Sequence, residues 1–363
     1  MTRIQALVGL NLTRDIGSIR LKRLLDYFKD PESILNAPQG QLIAVSGIGQ
    51  KIASGITLVK KEDIDREFRE ANKLGLCIIS SEDTDYPANL KNIPDPPIVL
   101  YVKGELKKED NLGVAIVGSR RASFYGLASA QRFGSELSER GFTVISGMAR
   151  GIDTCAHRAA MKAHGRTIAV MGSGFNNIYP PENKRLAQEI SENGAVISEF
   201  PVDAPPLKEH FPQRNRTISG LALGVLVVEA AKNSGALITA DFALEQGREV
   251  FAVPGEINCA SSFGTNELIK QGAKLVSCTE DIIQEFNFTV GISHKERVQP
   301  VKRELDLSDK EAVLFELLSS QPLDLDTIIE KINMGIPDIS AILLKLRIKK
   351  LIKELPGKQF IKV

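Results

Sequence analysis

Short apolar runs and longer amphipathic segments alternate through the middle of the chain. Six of the runs carry few polar positions, which is typical of strands buried on both faces of a sheet. Segments of helical length separate them, and this alternation predicts a parallel sheet with right-handed crossovers and helices on both faces. The predicted fold class is α/β, with an extended Rossmann-like sheet. The six predicted strands are Val114–Val117, Thr143–Ser146, Thr167–Met171, Ala195–Ser198, Val225–Val228 and Val250–Val253.

The pattern changes on both sides of this region and divides the chain into four parts. The first part carries helical spacing and predicts an all-helical domain. The second holds the sheet, and it opens with two runs, Cys77–Ile79 and Ile98–Val102, that neighbouring prolines place near a sheet edge. The third is polar and patternless, as a linker is, and the fourth predicts a winged helix. The four parts are residues 1–75, 76–287, 288–304 and 305–363.

Each predicted strand is followed by a turn that contains glycine, a cationic residue or a polar residue. The first turn, Gly118-Ser119-Arg120-Arg121, lies between its strand and a helix predicted to begin at about Phe124. Because parallel strands end at one edge, backbone amides, helix N-termini and cationic side chains would converge there on an anion. Several basic turns in succession indicate a long polyanion. The residues predicted to bind it are Ser119, Arg120, Arg121, Gly147, Arg150, Gly172, Ser173, Gly174, Lys184, Phe211, Arg214, Asn215, Arg216, Ser234 and Gly235.

Single-stranded nucleic acid is the polyanion that this combination suits. Cations would contact the phosphates, and three aromatic residues near the turns, Phe175, Tyr179 and Phe211, would stack on unpaired bases. Core packing is the alternative role for the aromatic residues. For Arg150 and Arg216 the alternative is a structural ion pair with Glu199 or Glu229.

A possible second DNA contact lies in the helical first part. Val45–Ala53 has the form of a helix-hairpin-helix turn, in which Gly47 and Gly49 would let backbone amides approach a phosphate beside Lys51. Asp15–Ser18 resembles a degenerate copy of the same turn. The alternative is a small helical domain that packs on a neighbouring domain or on a protein partner.

The winged-helix prediction depends on the last sixty residues. Ser308 and Glu311 form a capping box, and seven Lys or Arg residues follow between Lys345 and Lys362, with Glu354 opposing them. This basic surface suits nucleic acid or an acidic partner, and winged helices also mediate protein contacts. The predicted helices are Ala312–Leu318, Leu325–Ile332 and Ile339–Leu351.

Few features indicate an enzyme. Asp153 and His157 are four residues apart and could share a proton or a metal, but the same spacing suits a helix cap with the histidine bonded to the aspartate. Glu199 and Glu229 could serve as acid and base, yet no activated nucleophile accompanies them. The chain lacks GxSxG, GxxxxGK[ST] and GxGxxG motifs, so no metal, dinucleotide or other cofactor is predicted.

Composition limits the class of protein further. The chain has 363 residues, with 46 Lys and Arg against 45 Asp and Glu, so any nucleic-acid contact must come from local clustering of charge. No apolar run reaches the roughly 20 residues that span a bilayer, and no signal-peptide pattern opens the chain. The scattered residues Cys77, Cys155, Cys259 and Cys278 predict reduced core cysteines in a cytoplasmic protein.

Several segments of the second part resemble the DNA-processing protein A family (DprA, or Smf) of bacterial natural transformation. The matching segments run in the family's order from about Tyr86 to Ala273, with small departures at Asn176 and Ala236. They are IVGSRRASFYG, VISGMARGIDTCAHRAAM, TIAVMGSGFNNIYPPEN, FPQRNRTISGL, VVEAAKNSGALITADFALEQGREVFAVPG and GTNELIKQGA.

The resemblance implies a non-enzymatic protein. Such proteins bind and protect incoming single-stranded DNA, act on single-strand-binding protein, load a RecA-type recombinase and usually form homodimers. By motif position, it implies DNA contacts in the GSR and FPQRNR segments. These contacts are Ser119, Arg120, Arg214, Asn215 and Arg216.

Two other functions stay open at this stage. A nucleoside-monophosphate phosphoribohydrolase of the lysine-decarboxylase-like (LOG) type resembles this fold, but its PGGxGTxxE loop would fall at Asn233–Thr239, which lacks the proline and the paired glycines. A regulator of double-stranded DNA acting through its tail would lose all binding on deletion of Leu305–Val363.

Overall fold

The computed structural model describes residues 1–13, 15–290, 307–319, 322–332, 334–349, 351–355 and 357–362. They form two compact units. The larger comprises Met1–Ala122 and Ser129–Thr289, and the smaller comprises Ser123–Ala128 and Val290–Val363. Most of the predicted linker, residues 288–304, lies outside the described residues.

Six helices open the larger unit, as the helical spacing predicts. The first begins at a capping box in which the Thr2 hydroxyl accepts from the Gln5 amide and the Gln5 side chain accepts from the Thr2 amide. The helices are α1 (Arg3–Asn11), α2 (Ser18–Phe28), α3 (Pro31–Leu35), α4 (Gln39–Ile43), α5 (Gln50–Leu58) and α6 (Lys61–Lys73).

A nine-stranded sheet follows, in the order β1-β2-β6-β5-β4-β3-β7-β8-β9. The seven strands β3 to β9 pair in parallel. At one edge β2 pairs antiparallel with both β6 and β1, and both edge strands neighbour the prolines that predict an edge position. The strands are β1 (Cys77–Ser80), β2 (Val99–Gly104), β3 (Gly113–Gly118), β4 (Thr143–Ser146), β5 (Thr167–Met171), β6 (Gly194–Ser198), β7 (Gly224–Glu229), β8 (Glu249–Ala252) and β9 (Lys274–Leu275).

Helices cover both faces of this sheet, which confirms the predicted α/β class. Successive residues of β5 alternate between two cores: Ala169 and Met171 belong to one, Ile168 and Val170 to the other. This is the two-residue period of a strand covered on both sides. The covering helices are α7 (Ala88–Lys91), α8 (Phe124–Glu139), α9 (Ile152–Lys162), α10 (Lys184–Asn193), α11 (His210–Leu221), α12 (Gly235–Glu245), α13 (Phe263–Lys270) and α14 (Thr279–Val290).

The opening helices share a core with the sheet. Leu7 and Leu24 belong to the same apolar cluster as Met171. Buried polar contacts join the two regions as well, because the Glu67 carboxylate accepts from the Val202 amide at 2.7 Å. A domain boundary near residue 75 therefore stays a prediction, within one compact unit.

The smaller unit contains the predicted winged helix. Its strands pair in the order β10-β12-β11, and Ser308 and Glu311 form the predicted capping box. The last helix begins three residues earlier than predicted, because Pro337 lies in its first turn, where a missing amide costs nothing. The elements are α15 (Asp309–Leu317), β10 (Leu323–Asp324), α16 (Leu325–Lys331), α17 (Ile336–Ile348), β11 (Ile352–Leu355) and β12 (Gln359–Lys362).

Candidate nucleic-acid interface

Three turns at the carboxyl edge of the sheet and the start of α11 meet around one small pocket. The turn after β3 contributes Arg120, and the segment after β5 contributes Tyr179. Gly118 makes the sharp exit from β3: a Cβ atom there would lie 2.7 Å from Ile152 and 3.0 Å from the Glu229 carbonyl. The pocket is lined by Arg120, Gly147, Ala149, Arg150, Tyr179, Pro180, Phe211 and Arg214.

Phe211, in the first turn of α11, lies among the cations and is half-buried. The guanidinium carbon of Arg120 is 5.4 Å from the centre of its ring, and that of Arg214 is 6.0 Å away. The ring of Tyr179 is 5.6 Å away, centre to centre. An aromatic ring beside exposed Arg120 combines a stacking surface with positive charge.

Arg214 is buried, with only 4% of its surface exposed. Its guanidinium donates to the Gly147 carbonyl at 2.7 Å and to the Val170 carbonyl. Its pKa is lowered to about 10, chiefly by burial and in part by the charge of Arg120, against the opposing charge of Asp153. Arg214 therefore supports the turn after β4 from beneath.

Asp153, in the first turn of α9, holds the same turn from another side. Its buried carboxylate accepts from the amides of Gly147 at 3.2 Å and Ala149 at 3.3 Å. Burial raises the pKa of Asp153, while the charge of Arg214 counteracts this rise. The aspartate thus fixes the turn that precedes α9. It does not cap the helix, because the N-cap is Gly151 and no side chain bonds there, so the helix-cap prediction is wrong.

His157 is not bonded to Asp153, contrary to the sequence-based expectation. Its Nδ1 lies 2.7 Å from the Thr167 hydroxyl, and that hydroxyl donates to the Val144 carbonyl. Nδ1 must therefore carry the imidazole proton. Burial lowers the pKa of His157 to about 3, with a further contribution from Arg214, so the ring is neutral at pH 7.

Two predicted phosphate contacts are held in ion pairs. Arg150 is exposed and pairs with Glu182, with one N–O distance of 3.1 Å. Arg216 is 7% exposed, donates to the Glu199 carboxylate at 2.5 Å and reaches Asp95. The structure thus favours the structural alternative for Arg216, because a buried guanidinium with a carboxylate partner has little surface left for a ligand.

The other predicted contacts differ in exposure. Arg121, Lys184 and Gly235 are exposed, and Ser119 is half-buried. Asn215 donates to the Gly235 carbonyl at 3.2 Å and so connects α11 to the first turn of α12, where Ser234 is the N-cap. Ser173 is almost fully buried, as is Phe175, whose ring joins the core instead of facing a base.

Several of the glycines serve the packing of the protein itself. A Cβ atom at Gly147 would lie 2.6 Å from the Arg214 guanidinium, and one at Gly172 would lie 2.9 Å from Phe211. At Gly174 the obstacle is the Pro201 carbonyl, at 2.1 Å. These glycines were predicted to approach a ligand, but the groups nearest to them are side chains and backbone of the protein itself.

The hairpin between α4 and α5 forms a separate basic surface. Gly47 adopts φ +85°, which favours glycine, and Gly49 is exposed with open space around it. Arg23 donates to the Ser46 carbonyl at 3.2 Å. Arg20 links this hairpin to the degenerate copy. Neither arginine was predicted, because both precede the motif by more than twenty residues.

Arg20 and Lys51 join the two hairpins at three points. Arg20 donates to the Gly47 carbonyl at 3.3 Å and to the Asp15 carbonyl at 2.7 Å, and Lys51 pairs with the Asp15 carboxylate at 3.2 Å. In the degenerate copy, the Ser18 amide donates to the Asp95 carboxylate at 3.1 Å. The degenerate hairpin at Asp15–Ser18 thus binds a carboxylate of its own chain. The hairpin between α4 and α5 has open space around Gly49.

Metal-ligating and titratable groups add little to this picture. Across the described ranges, no group of three or more His, Cys, Asp or Glu residues could hold a metal ion. Two cysteines expected in the core, Cys77 and Cys259, are exposed. Helices in the part of the chain that the structure describes are all too short or too polar to span a membrane.

Comparison with known families agrees with this geometry. The model of the DNA recombination-mediator protein A family matches residues 77–287, and that of the DprA winged helix domain matches residues 299–358. The chain belongs to the DprA/Smf family. It is 42% identical to protein Smf of Escherichia coli over 84% of each chain. It is also 40% identical to DprA of Bacillus subtilis, over 77% of this chain and 95% of that protein.

Solved structures of the DprA family superpose on the chain. DprA from Streptococcus pneumoniae matches with a TM-score of 0.67 at 37% identity, over 78% of this chain and 98% of that one. DNA processing protein A from Helicobacter pylori matches with a TM-score of 0.52 at 31% identity, over 58% of this chain and 99% of that one. The latter structure is described for its single-stranded-DNA-binding mode.

Proposed function

We propose that the chain binds single-stranded DNA, without preference for sequence, at the pocket around Phe211. The observation that carries this proposal is that Arg120 and Tyr179 lie against that ring, in a pocket that Arg150 also lines. Cations beside exposed aromatic surface suit phosphates and unstacked bases together. In a duplex the bases are already stacked, so the aromatic part of the site would have no partner.

The pocket residues divide into two roles under this proposal. Ser119, Arg120 and Arg121 in the turn after β3 contact DNA, together with Lys184 and the Ser234–Gly235 turn. Phe211 and Tyr179 stack on bases. Arg214 and Arg216, which the family resemblance places at the DNA, act from beneath by fixing the turns, because both are buried.

A binding comparison tests the ligand class. Fluorescence anisotropy of labelled oligo-dT and of a duplex of equal length, at 50 and 200 mM salt, should give at least tenfold tighter binding of the single strand. The affinity should fall steeply with salt, as phosphate contacts require. Equal or tighter binding of the duplex would contradict the proposal.

The resemblance to the DprA family also suggests a cellular role. We propose that the chain protects incoming DNA in the cytoplasm, acts on DNA covered by single-strand-binding protein, loads a RecA-type recombinase and forms a homodimer. Adding the chain to covered single strands should shorten the lag before the recombinase hydrolyses ATP. An unchanged lag, with single-strand binding intact, would count against the loading role.

The enzymatic alternative has a separate test. A LOG-like phosphoribohydrolase would release adenine from AMP, and it would need a free acid or base near the pocket. Glu199 is instead buried against Arg216. We expect no base release above background, and sustained turnover that purifies with the chain would replace the binding proposal with the enzymatic one.

The hairpin between α4 and α5 is proposed as a second DNA contact. Its support is the exposed Gly49 amide region beside Arg20, Arg23 and Lys51. Lys51→Glu should weaken binding of long single strands more than of short ones, because only a long strand can reach from the pocket to the hairpin. Equal effects on both lengths would remove the hairpin from the DNA path.

A further inference from the structure

The last helix of the winged-helix unit, α17, presents an apolar strip on its outward face. Its inward face is buried through Ile339, Ile342, Leu343 and Leu346. Viewed down the helix, the positions opposite this face are occupied by apolar residues. These residues are Pro337, Ala341, Leu344 and Ile348, and all four are exposed.

The exposure of this strip is large for apolar side chains. Ile348 is 72% exposed and Leu344 is 49% exposed. The four positions are spaced by four, three and four residues, which is the spacing of the seam by which one helix packs along another. A surface of this pattern is typical of a helix–helix contact.

The same strip argues against direct reading of DNA by α17. A helix that reads base edges needs hydrogen-bond donors and acceptors on its outward face, and these four side chains offer none. Two of the basic residues for which the sequence left nucleic acid or an acidic partner open are also paired within the unit. Arg347 pairs with Glu354, and Lys349 pairs with Glu311 at 2.9 Å.

The polar residues beside the strip identify the partner. Asp338 and Lys345 are seven residues apart and lie along one flank, with Ser340 and Arg347 along the other. When two helices pack antiparallel, like flanks face each other, so Asp338 of one copy meets Lys345 of the second, twice by symmetry. A parallel pair would instead place Lys345 beside the flank of Ser340 and Arg347.

We propose that α17 is a self-association surface, on which a second copy of this chain packs its own α17 in the antiparallel direction. Four side chains per copy make an interface well below the roughly 1,200–2,000 Å² of stable complexes. The contact is therefore weak by itself. It acts where chains are already concentrated, as on one DNA strand, by raising the effective concentration of neighbouring winged helices.

Charge exchange in the full-length chain tests the orientation. Asp338→Lys and Lys345→Asp, made singly, each place like charges together, and each should lower the association constant measured by sedimentation equilibrium at least fivefold. The double variant restores both pairs and should return to within twofold of the natural chain. Lys331→Asp, an exposed change on α16, should leave association unaltered.

Rescue separates the proposal from a loss of folding. Asp338 lies in the first turn of α17 and Lys345 in the last, where each suits the helix dipole, so the double variant carries both unfavourable changes. If the substitutions acted only by destabilising the helix, the double variant would have a lower association constant than either single variant. Absence of rescue, or equal association of all variants, overturns the proposal.

A substitution within the strip tests whether nucleic acid, and not a second copy, occupies it. Leu344→Asp should reduce self-association while leaving the affinity for duplex DNA within twofold. If it instead leaves self-association unchanged and weakens duplex binding, the strip faces nucleic acid and the proposal fails. Unchanged self-association with unchanged duplex binding overturns it equally.

Discussion

At the scale of single residues, the pocket separates an exposed charge from a charge that holds the turns. Arg120 is exposed beside Phe211, whereas Arg214 is buried against the carbonyls of Gly147 and Val170. Both are arginines of the same cluster, and burial alone assigns their roles. Variants at the two positions should therefore fail in different measurements.

Replacing Arg120 by alanine should weaken DNA binding without unfolding the chain. Loss of one phosphate contact is expected to reduce the affinity for oligo-dT about tenfold and the slope of log K against log salt by about 0.7. Stability should change by no more than about 0.5 kcal/mol, as for other surface positions. Arg66→Ala, an exposed arginine of α6, is the matched control and should alter neither quantity.

Replacing Phe211 by leucine should weaken binding in a different manner. Stacking of one base is worth roughly 1–3 kcal/mol, so affinity for oligo-dT should fall by that amount. The salt slope should remain that of the natural chain, because no charge is lost. A reduced slope would mean that the ring orders Arg120 instead of stacking on a base.

Replacing Arg214 by methionine should act mainly on stability. The change leaves the two carbonyls without their donor and the buried Asp153 without a nearby positive charge, which should lower the free energy of unfolding by about 2–4 kcal/mol. Urea unfolding followed by far-UV circular dichroism measures this loss. If the free energy of unfolding of the variant lies within about 0.5 kcal/mol of that of the natural chain, as for a surface substitution, Arg214 does not support the turns.

At the scale of elements, α9 fixes the turn after β4 through buried polar groups. Asp153 accepts from two amides of that turn, and His157 is bonded to Thr167 at the start of β5. A buried neutral imidazole in this place links the stability of the larger unit to pH. The direction of this pH dependence follows from the lowered pKa of His157.

Acidification should destabilise the larger unit through His157. Its pKa is about 3 in the folded chain against an ordinary value of 6.5, so between these values the unfolded chain binds the proton preferentially. Stability contributed by this residue is therefore complete above pH 6.5 and is lost as pH falls. The loss between pH 7 and pH 5 should be about 2 kcal/mol.

Urea unfolding at pH 7 and pH 5 measures this dependence. His157→Gln keeps a donor for the Thr167 hydroxyl but binds no proton, so its pH dependence should be smaller by that amount. His164→Asn, which changes an exposed histidine, should retain the slope of the natural chain. An equal slope in His157→Gln would contradict the assigned role of the buried ring.

At the scale of the whole molecule, the pocket and the winged helix belong to different compact units. A chain ending at residue 287 keeps every predicted pocket residue. Its affinity for oligo-dT should stay within about threefold of the full chain, because the proposed phosphate and stacking contacts all lie in the larger unit. Loss of all binding would instead support the regulator that acts through its tail.

Sequence periodicity determined the α/β class, the six central strands and the winged helix, because burial on two faces imposes apolar runs that are visible without coordinates. It also placed Arg120, Arg150 and Arg214 at one edge, since parallel strands end together. The residues it missed, Arg20 and Arg23, lie far along the chain from the hairpin that they contact.

Only the tertiary structure decided which charges are available to a ligand. Arg214 and Arg216 are two residues apart in one basic segment. Arg214 donates to two backbone carbonyls, whereas Arg216 pairs with a carboxylate. Exposure depends on what packs against a side chain, and those partners come from strands and turns distant in sequence. Local pattern therefore determined which turns meet at the sheet edge, and long-range packing determined which of their charges are exposed.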